Sequence, residues 1–126
     1  MIYLNLRELL YIAERALGAE PVVKDHGPLE SALPRLRVTV FGRDAYHTLD
    51  GKAAALLRSL ACDDALIDGR KRLALAGLIA FCGLNGRRLT LTNDDAYDLV
   101  MSIPSGARDA VEDITKILEG ATCASR

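Results

Sequence analysis

The apolar run from Leu73 to Leu84 constrains the fold of this chain more than any other feature. Its sequence, LALAGLIAFCGL, carries no charge, and Asn85-Gly86 follow it as a stop signal. A helix that is apolar nearly all round must be enclosed by other elements, and this one is too short to cross a bilayer. The 126-residue chain is half hydrophobic and rich in Ala and Leu. We therefore predict a single domain, residues 1–126, in which helices surround a central helix over about 69–84.

Periodicity elsewhere predicts further helices and one extended flap. Residues 19–34 hold three of the four prolines and predict a loop with one short helical turn at 29–32. The alternating, β-branched sequence RLRVTVF at 35–41 predicts a strand-like flap or hairpin, and RLTLTN at 88–93 predicts an extended link. The spacing of apolar residues predicts four more helices. The first begins after the cap residue Asn5 and ends at Gly18, and the third begins at the cap residue Asn93 and continues through Met101. The second and the fourth cover about 50–61 and about 109–119. The expected fold class is all-α, a compact bundle.

Charge and cysteine usage limit the setting of the protein. The formal net charge is −1, so any binding of anions must be local. Cys62, Cys82 and Cys123 are odd in number and widely spaced, which favours a reduced, cytosolic protein over a disulfide scaffold. The first eighteen residues carry both acidic and basic side chains, unlike a signal peptide. We expect a cytoplasmic protein without a membrane segment.

Three cations precede the apolar run, at the helix end where they are least favourable. Arg70, Lys71 and Arg72 stand beside backbone N–H groups that already make the field positive, at a cost of a few tenths to about 1 kcal/mol each. Gly69 removes a side chain where a ligand could approach the backbone. Together these features predict an anion site, with phosphate as the first choice. The alternative is a solvated cationic face paired with the aspartates of the preceding turn.

The stretch DALIDGRKRLAL at 64–75 resembles a known signature. It is similar to the H-x-[FL]-x-D-[GA]-N-K-R motif of death-on-curing (Doc) toxins, the short branch of the Fic fold, and the resemblance extends over about residues 20–103. It implies an all-helical Fic core whose motif loop binds ATP and Mg²⁺. In such toxins the γ-phosphate is transferred to a threonine of elongation factor Tu, which halts translation. A small Phd-type antitoxin blocks the site with a C-terminal helix.

The resemblance also implies roles for individual residues. Asp68 stands where the family's acidic residue helps to hold the metal, and Gly69 keeps the tight turn. Lys71 and Arg72 match the catalytic phosphate-binding pair. The flap that aligns the target peptide would lie within residues 35–46.

Two positions depart from the motif. Asp64 replaces the histidine that acts as general base, and Arg70 replaces the asparagine that helps to position metal and phosphate. Asp64 could still support slow transfer, the acidic residues could bind the metal differently, or Arg70 could pair with Asp64 and fill the nucleotide site. The favoured expectation is impaired or altered catalysis. The alternative is an inactive homologue that binds the antitoxin or regulates its own operon.

Two further interpretations are less favoured. The sequence TKILEG at Thr115–Gly120 fits a loose inhibitory motif of some Fic proteins, but Glu119 followed by Gly120 is more simply the end of a helix. Direct binding of nucleic acid is not expected, because one short cationic patch lacks an aromatic platform or a recognition helix.

Overall fold

Helices dominate the part of the chain that the computed structural model describes, which comprises residues 1–18, 23, 26–46, 48–62, 70–103 and 111–124, with only the backbone at 28, 40 and 70. The prediction of an all-α fold is confirmed. The elements in chain order are α1 (Leu6–Leu17), α2 (Gly27–Ala32), a 3-10 helix (Pro34–Arg37), β1 (Thr39–Val40), β2 (Arg43–Asp44), α3 (Leu49–Cys62), α4 (Arg70–Leu84), β3 (Arg87–Leu89), α5 (Asn93–Ser102), α6 (Val111–Glu119) and β4 (Thr122–Ala124).

Helix α1 has the boundaries that its local sequence predicts. The side chain of Asn5 accepts a hydrogen bond from the Glu8 amide at 2.8 Å, and the Glu8 carboxylate accepts one from the Asn5 amide at 3.1 Å. This reciprocal capping box satisfies two of the amide groups that begin a helix. At the other end, Gly18 adopts φ +74° and donates to the Glu14 carbonyl. Both predicted signals, Asn5 and Gly18, are confirmed.

Helices α3 and α4 form the centre of the fold and pack against each other. They approach closely at Gly77, where an added methyl group would come within 2.9 Å of the Leu60 side chain. Helix α4 also packs against α1 and α5, so the predicted enclosure is confirmed on those sides. Among its residues with described side chains, the exposed ones are Arg72, Ile79, Gly83 and Leu84. Helix α3 is the more enclosed of the two, because it is buried at nearly every position from Gly51 to Ala61.

Three local predictions differ from the structure. The strand predicted from Arg35 begins later, at Thr39, because Pro34 starts a 3-10 helix that places Leu36 in the core. Alternation could not reveal this, since either conformation turns Leu36 inward. Helix α2 fills residues 27–32, a longer segment than the single turn predicted there. Thr92, not Asn93, caps α5, because the Thr92 hydroxyl accepts a hydrogen bond of 3.1 Å from the Asp95 amide.

A second small sheet joins two segments distant in sequence. Strand β3 pairs antiparallel with β4, with Arg87 opposite Ala124 and Leu89 opposite Thr122. The Arg87 guanidinium donates to both the carbonyl and the hydroxyl oxygen of Thr122 at 3.1 Å. The sequence predicted only an extended link at 88–93 and no strand after the last helix.

Lys52 is a buried cation that joins α3 to the β1–β2 hairpin. Its side chain is 2% exposed, and its ammonium donates to the Leu36 carbonyl at 2.7 Å. The same nitrogen lies 3.6 Å from an Asp44 carboxylate oxygen and 5.8 Å from the centre of the Tyr3 ring. A buried charge is tolerated only with such partners. These contacts hold the hairpin base against the helical core.

Candidate functional site

Helix α4 begins at Arg70, at the point where the sequence predicted the mouth of an anion site. Asp64, Asp68 and Gly69 lie outside the described residues, and at Arg70 the description is limited to the backbone. Their predicted roles as general base, metal ligand, turn and phosphate contact therefore stay predictions. The described part of the site is the backbone of the first turn with the side chains of Lys71 and Arg72.

The first turn of α4 differs in charge from that of the other five described α-helices. Each of those helices carries an acidic residue in its first turn, which suits the positive end of the helix dipole. Helix α4 has none and begins Arg70-Lys71-Arg72 instead. The first amide groups of a helix have no partner within the helix. Free amides and basic residues thus occupy the same end of α4, and both attract anions.

Lys71 and Arg72 stand at the border between surface and core. Lys71 is half-buried and Arg72 is exposed, whereas Leu73 and Ala74 are fully buried directly after them. The first turn therefore meets solvent while the second is fixed by packing. A fixed helix end keeps its amide groups aimed in one direction, which is the arrangement that a phosphate site requires.

The predicted flap is a β-hairpin, and contacts through Tyr3 link its base to the C-terminal half of α4. The Tyr3 ring stacks on Phe81 with centroids 6.2 Å apart, and the Lys52 ammonium that holds the hairpin lies over Tyr3. Phe81 is 11 residues after Arg70, about 16 Å along the helix. The hairpin base is thus linked through Tyr3 to the C-terminal half of α4. The predicted role of residues 35–46 in aligning a target peptide stays a prediction.

An apolar groove lies on the surface where α1 packs against the C-terminal half of α4. Its volume is about 750 Å³, and Arg7 and Glu8 supply the charges at its border. The apolar residues that line it are Leu4, Tyr11, Ile12, Ala80 and Leu84. Sequence reasoning missed this groove, since it assigned the whole circumference of α4 to the core.

Comparison with known proteins shows the family to which the chain belongs. No model of a known protein family matches it. It is 43% identical over 103 residues to Toxin Doc of Mycolicibacterium smegmatis, and the matched region covers 80% of this chain and 79% of that protein. The chain belongs to the Doc toxin family. The family resemblance drawn from the motif is thus confirmed.

Neither a cluster of metal-ligating side chains nor an activated Cys82 thiol is found among the described residues of this Doc-family protein. Among the described residues no three His, Cys, Asp or Glu side chains are grouped as a metal site would require. Burial, with a smaller contribution from Asp50, raises the pKa of the Cys82 thiol to about 11. A thiol with so high a pKa is protonated and unreactive at neutral pH. Cys82 is therefore a core residue, as predicted.

The Thr115–Gly120 segment and the length of the helices bear on two further predictions for this Doc-family chain. Glu119 is exposed and is the last residue of α6, and the Thr115 hydroxyl donates to the Val111 carbonyl one turn earlier. This geometry is that of an ordinary helix end. No helix within the described ranges has the length and apolar character needed to span a membrane.

Buried Lys52 was also missed from the sequence, although a signal was present. Lys52 precedes Leu56 by four residues and Leu60 by eight, so it lies on the core-facing side of α3. A lysine in register with core leucines indicates either a snorkelling side chain or a buried, paired ammonium. The structure shows the second arrangement.

Proposed function

We propose that this Doc-family protein is the toxin of a toxin–antitoxin system, an ATP-dependent phosphotransferase that acts on elongation factor Tu with impaired or altered catalysis. The observation that carries the proposal is the first turn of α4. It has cations where the other described α-helices have acids, and it lies at the motif through which the chain resembles Doc toxins. Binding of phosphate groups by this turn would explain why the chain has basic residues at a helix end where they destabilise the fold.

The donor groups of this site suit a nucleotide and a divalent cation. Lys71, Arg72 and the amides of the first turn of α4 would hold phosphate oxygens, and the carboxylate of Asp68 is a ligand type that Mg²⁺ prefers. When bound, ATP supplies the phosphoryl group and Mg²⁺ neutralises charge on it. The chain's own contribution is to fix the phosphates in position, which is the main requirement of phosphoryl transfer.

Asp64 explains why catalysis would be impaired and not abolished. A histidine with pKa near 6.5 is a better base at neutral pH than an aspartate near 3.9. Loss of an effective general base costs about 10²–10⁴ in rate. In the proposed reaction the oxygen of the target hydroxyl forms a bond to the γ-phosphorus of ATP, and the bond between that phosphorus and ADP breaks. Asp64 accepts the proton that the hydroxyl loses. Desolvation of the motif loop would make Asp64 a stronger base.

The proposed partner is a Phd-like antitoxin. The groove between α1 and α4 supports this, because an apolar channel bordered by Arg7 and Glu8 has the character of a site for an amphipathic helix. The proposed place of action is the cytoplasm, where elongation factor Tu works, without direct contact to a membrane or to nucleic acid.

A second candidate function rests on the same two substitutions. With an acid at 64 and a base at 70, the two side chains can neutralise each other and fill the nucleotide site. The protein would then be an inactive binding module that captures antitoxin or regulates its operon. It would bind the antitoxin tightly and would label no target with phosphate from ATP.

Induced expression in a bacterial host tests the proposed enzyme. We expect the wild-type chain to arrest growth and to add phosphate to a threonine of elongation factor Tu, detected by mass spectrometry. Lys71→Ala should relieve the arrest and abolish the modification. Lys116→Ala, which removes an exposed lysine from α6, is the matched control and should arrest growth like the wild type. Normal growth of the wild-type strain without antitoxin would contradict the proposal.

A further inference from the structure

We propose that the outer face of α1, with the apolar groove beside it, is the interface between two copies of this chain. The copies are related by a two-fold axis that sets their α1 helices antiparallel. This pairing involves neither ATP nor a target protein, so it does not depend on the proposed function. It describes the chain when no antitoxin occupies the groove.

Exposed apolar side chains surround the groove. Tyr11 is 61% exposed in the middle of α1, and Leu84 is exposed at the end of α4. Exposed Ile2 is tied to the residue after Leu84, because the Ile2 amide donates to the side-chain oxygen of Asn85 at 2.7 Å and the Ile2 carbonyl accepts from its side-chain nitrogen at 2.8 Å. Single exposed apolar residues are common, whereas a contiguous apolar patch marks an interaction surface.

The walls of the groove are fixed before any partner binds. Helix α1 is capped by Asn5 at one end and by Gly18 at the other, and its Leu9 is fully buried. The Asn85 side chain that holds Ile2 also donates to the Phe81 carbonyl at 2.9 Å, which joins the N-terminal segment to the end of α4. A surface that is already rigid loses little conformational entropy when it binds.

The charges around Tyr11 make the outer face of α1 complementary to itself. Successive residues of a helix are about 100° apart, so Arg7 and Glu14 lie on one side of Tyr11, and Glu8 and Arg15 lie on the other. All four are exposed, and none of them forms a salt bridge with another described residue. Each is one or seven positions from its opposites in the helix, whereas charged side chains pair at three or four positions.

A two-fold axis perpendicular to α1 at Tyr11 matches each of these charges with an opposite one. The axis reverses one helix, so Arg7 comes opposite Glu14 of the second copy, and Glu8 comes opposite Arg15 of the second copy. Each contact occurs twice, as in any isologous dimer. The rotation also turns the same side of both helices together, so groove meets groove and the two helix dipoles run in opposite directions, which is favourable.

This charge pattern favours a second copy as the occupant of the groove. Two cations and two anions border an apolar centre, and a partner of one charge sign would match only half of them. A second copy matches all four. The proposed antitoxin would bind the same groove, so the dimer and the antitoxin complex would exclude each other. That consequence alone rests on the proposed function.

Sedimentation equilibrium of the purified chain tests the pairing. We expect the wild type to form dimers, and Arg7→Glu and Glu14→Arg each to weaken dimerisation at least tenfold, because like charges then face each other twice. An equimolar mixture of the two variants should form heterodimers with wild-type affinity, since every contact between positions 7 and 14 again joins opposite charges.

Two controls separate the interface from the fold. Arg7→Glu puts an acid near the start of α1 and Glu14→Arg puts a base near its end, where the helix dipole favours them, so neither variant should melt below the wild type. Tyr11→Ala should also weaken dimerisation at least tenfold. Tyr97→Ala, which removes an equally exposed tyrosine from α5, should dimerise like the wild type.

Three results would overturn the proposed dimer. The first is a wild type that sediments as a monomer, which would leave the groove to the antitoxin alone. The second is a dimer whose affinity the charge reversals do not change. The third is a mixture of the two variants that stays monomeric, as expected of a parallel pairing in which Arg7 meets Glu8. Failure of the proposed function would look different, because the dimer would form while the chain transferred no phosphate from ATP.

Discussion

At the scale of single residues, several side chains occupy positions that the stability of the fold does not favour. Lys71 and Arg72 place positive charge at the start of α4, and Phe41 adopts a backbone conformation suited to asparagine or glycine. Each unfavourable choice destabilises by roughly 0.3–2 kcal/mol. A domain of this size is stable by only about 5–15 kcal/mol. Such choices are expected where a residue serves binding and not folding.

In the proposed function, positions 64 and 70 would decide whether the protein is a slow enzyme or an inactive binding module. We predict that Asp64→His combined with Arg70→Asn raises the rate of target phosphorylation by about 10²–10⁴, since it restores an effective general base. The measurement is incorporation of labelled phosphate from ATP into purified elongation factor Tu. Lys71→Ala in the same background is the control and should remove the gain. An inert double variant that is folded would place the defect outside these two positions.

At the scale of elements, close packing of α3 on α4 sets the tolerance of the central helices. Gly77 and Gly83 both lie in α4, but a methyl group at Gly77 would meet the buried Leu60 side chain at 2.9 Å, while one at Gly83 would meet nothing within 4 Å. Alanine in a helix interior is favoured over glycine by about 0.8–1 kcal/mol. The two sites should therefore respond differently to the same substitution.

We predict that Gly83→Ala raises the free energy of unfolding by up to about 1 kcal/mol. Gly77→Ala should lose that gain, because Leu60 must move within a packed core. Urea denaturation of the two variants beside the wild type measures the difference. Equal stabilisation by both would show that α3 and α4 are not closely packed at this point.

The sequence was most informative where structure depends on neighbouring residues. The limits of α1 follow from Asn5, Glu8 and Gly18, which act within one turn of the helix ends. Pairing of β3 with β4 joins residues about 35 positions apart, and no local pattern encodes it. The buried position of Lys52 depends in the same way on partners brought together by folding, Leu36 and Asp44.

The candidate site was predictable only in part, for a related physical reason. The cations and the start of α4 follow from local sequence, and the structure places the helix start at Arg70. The groove between α1 and α4 was not predictable, because an apolar helix face looks the same in sequence whether another helix covers it or not. The resemblance supplied the family, and the 43% identity to Toxin Doc of Mycolicibacterium smegmatis confirmed it.

At the scale of the whole molecule, three surfaces have different characters. The first turn of α4 is cationic, the groove between α1 and α4 is apolar, and the hairpin tip is a single exposed ring. The Lys52 contacts connect the hairpin to α3, and α3 packs directly on α4. One rigid helical core thus supports all three. In the proposed function, the first turn of α4 would bind the nucleotide and the groove would bind the antitoxin.

Calorimetric titration of the purified protein with Mg-ATP is the most direct test of the phosphate site at the start of α4. We predict saturable binding to the wild type and to Lys116→Ala, and affinity at least tenfold lower for Lys71→Ala, a loss of about 1.4 kcal/mol or more. Circular dichroism of the three proteins should show the same helical fold. Equal affinity of Lys71→Ala and the wild type, or no binding to either, would contradict a phosphate site at the start of α4.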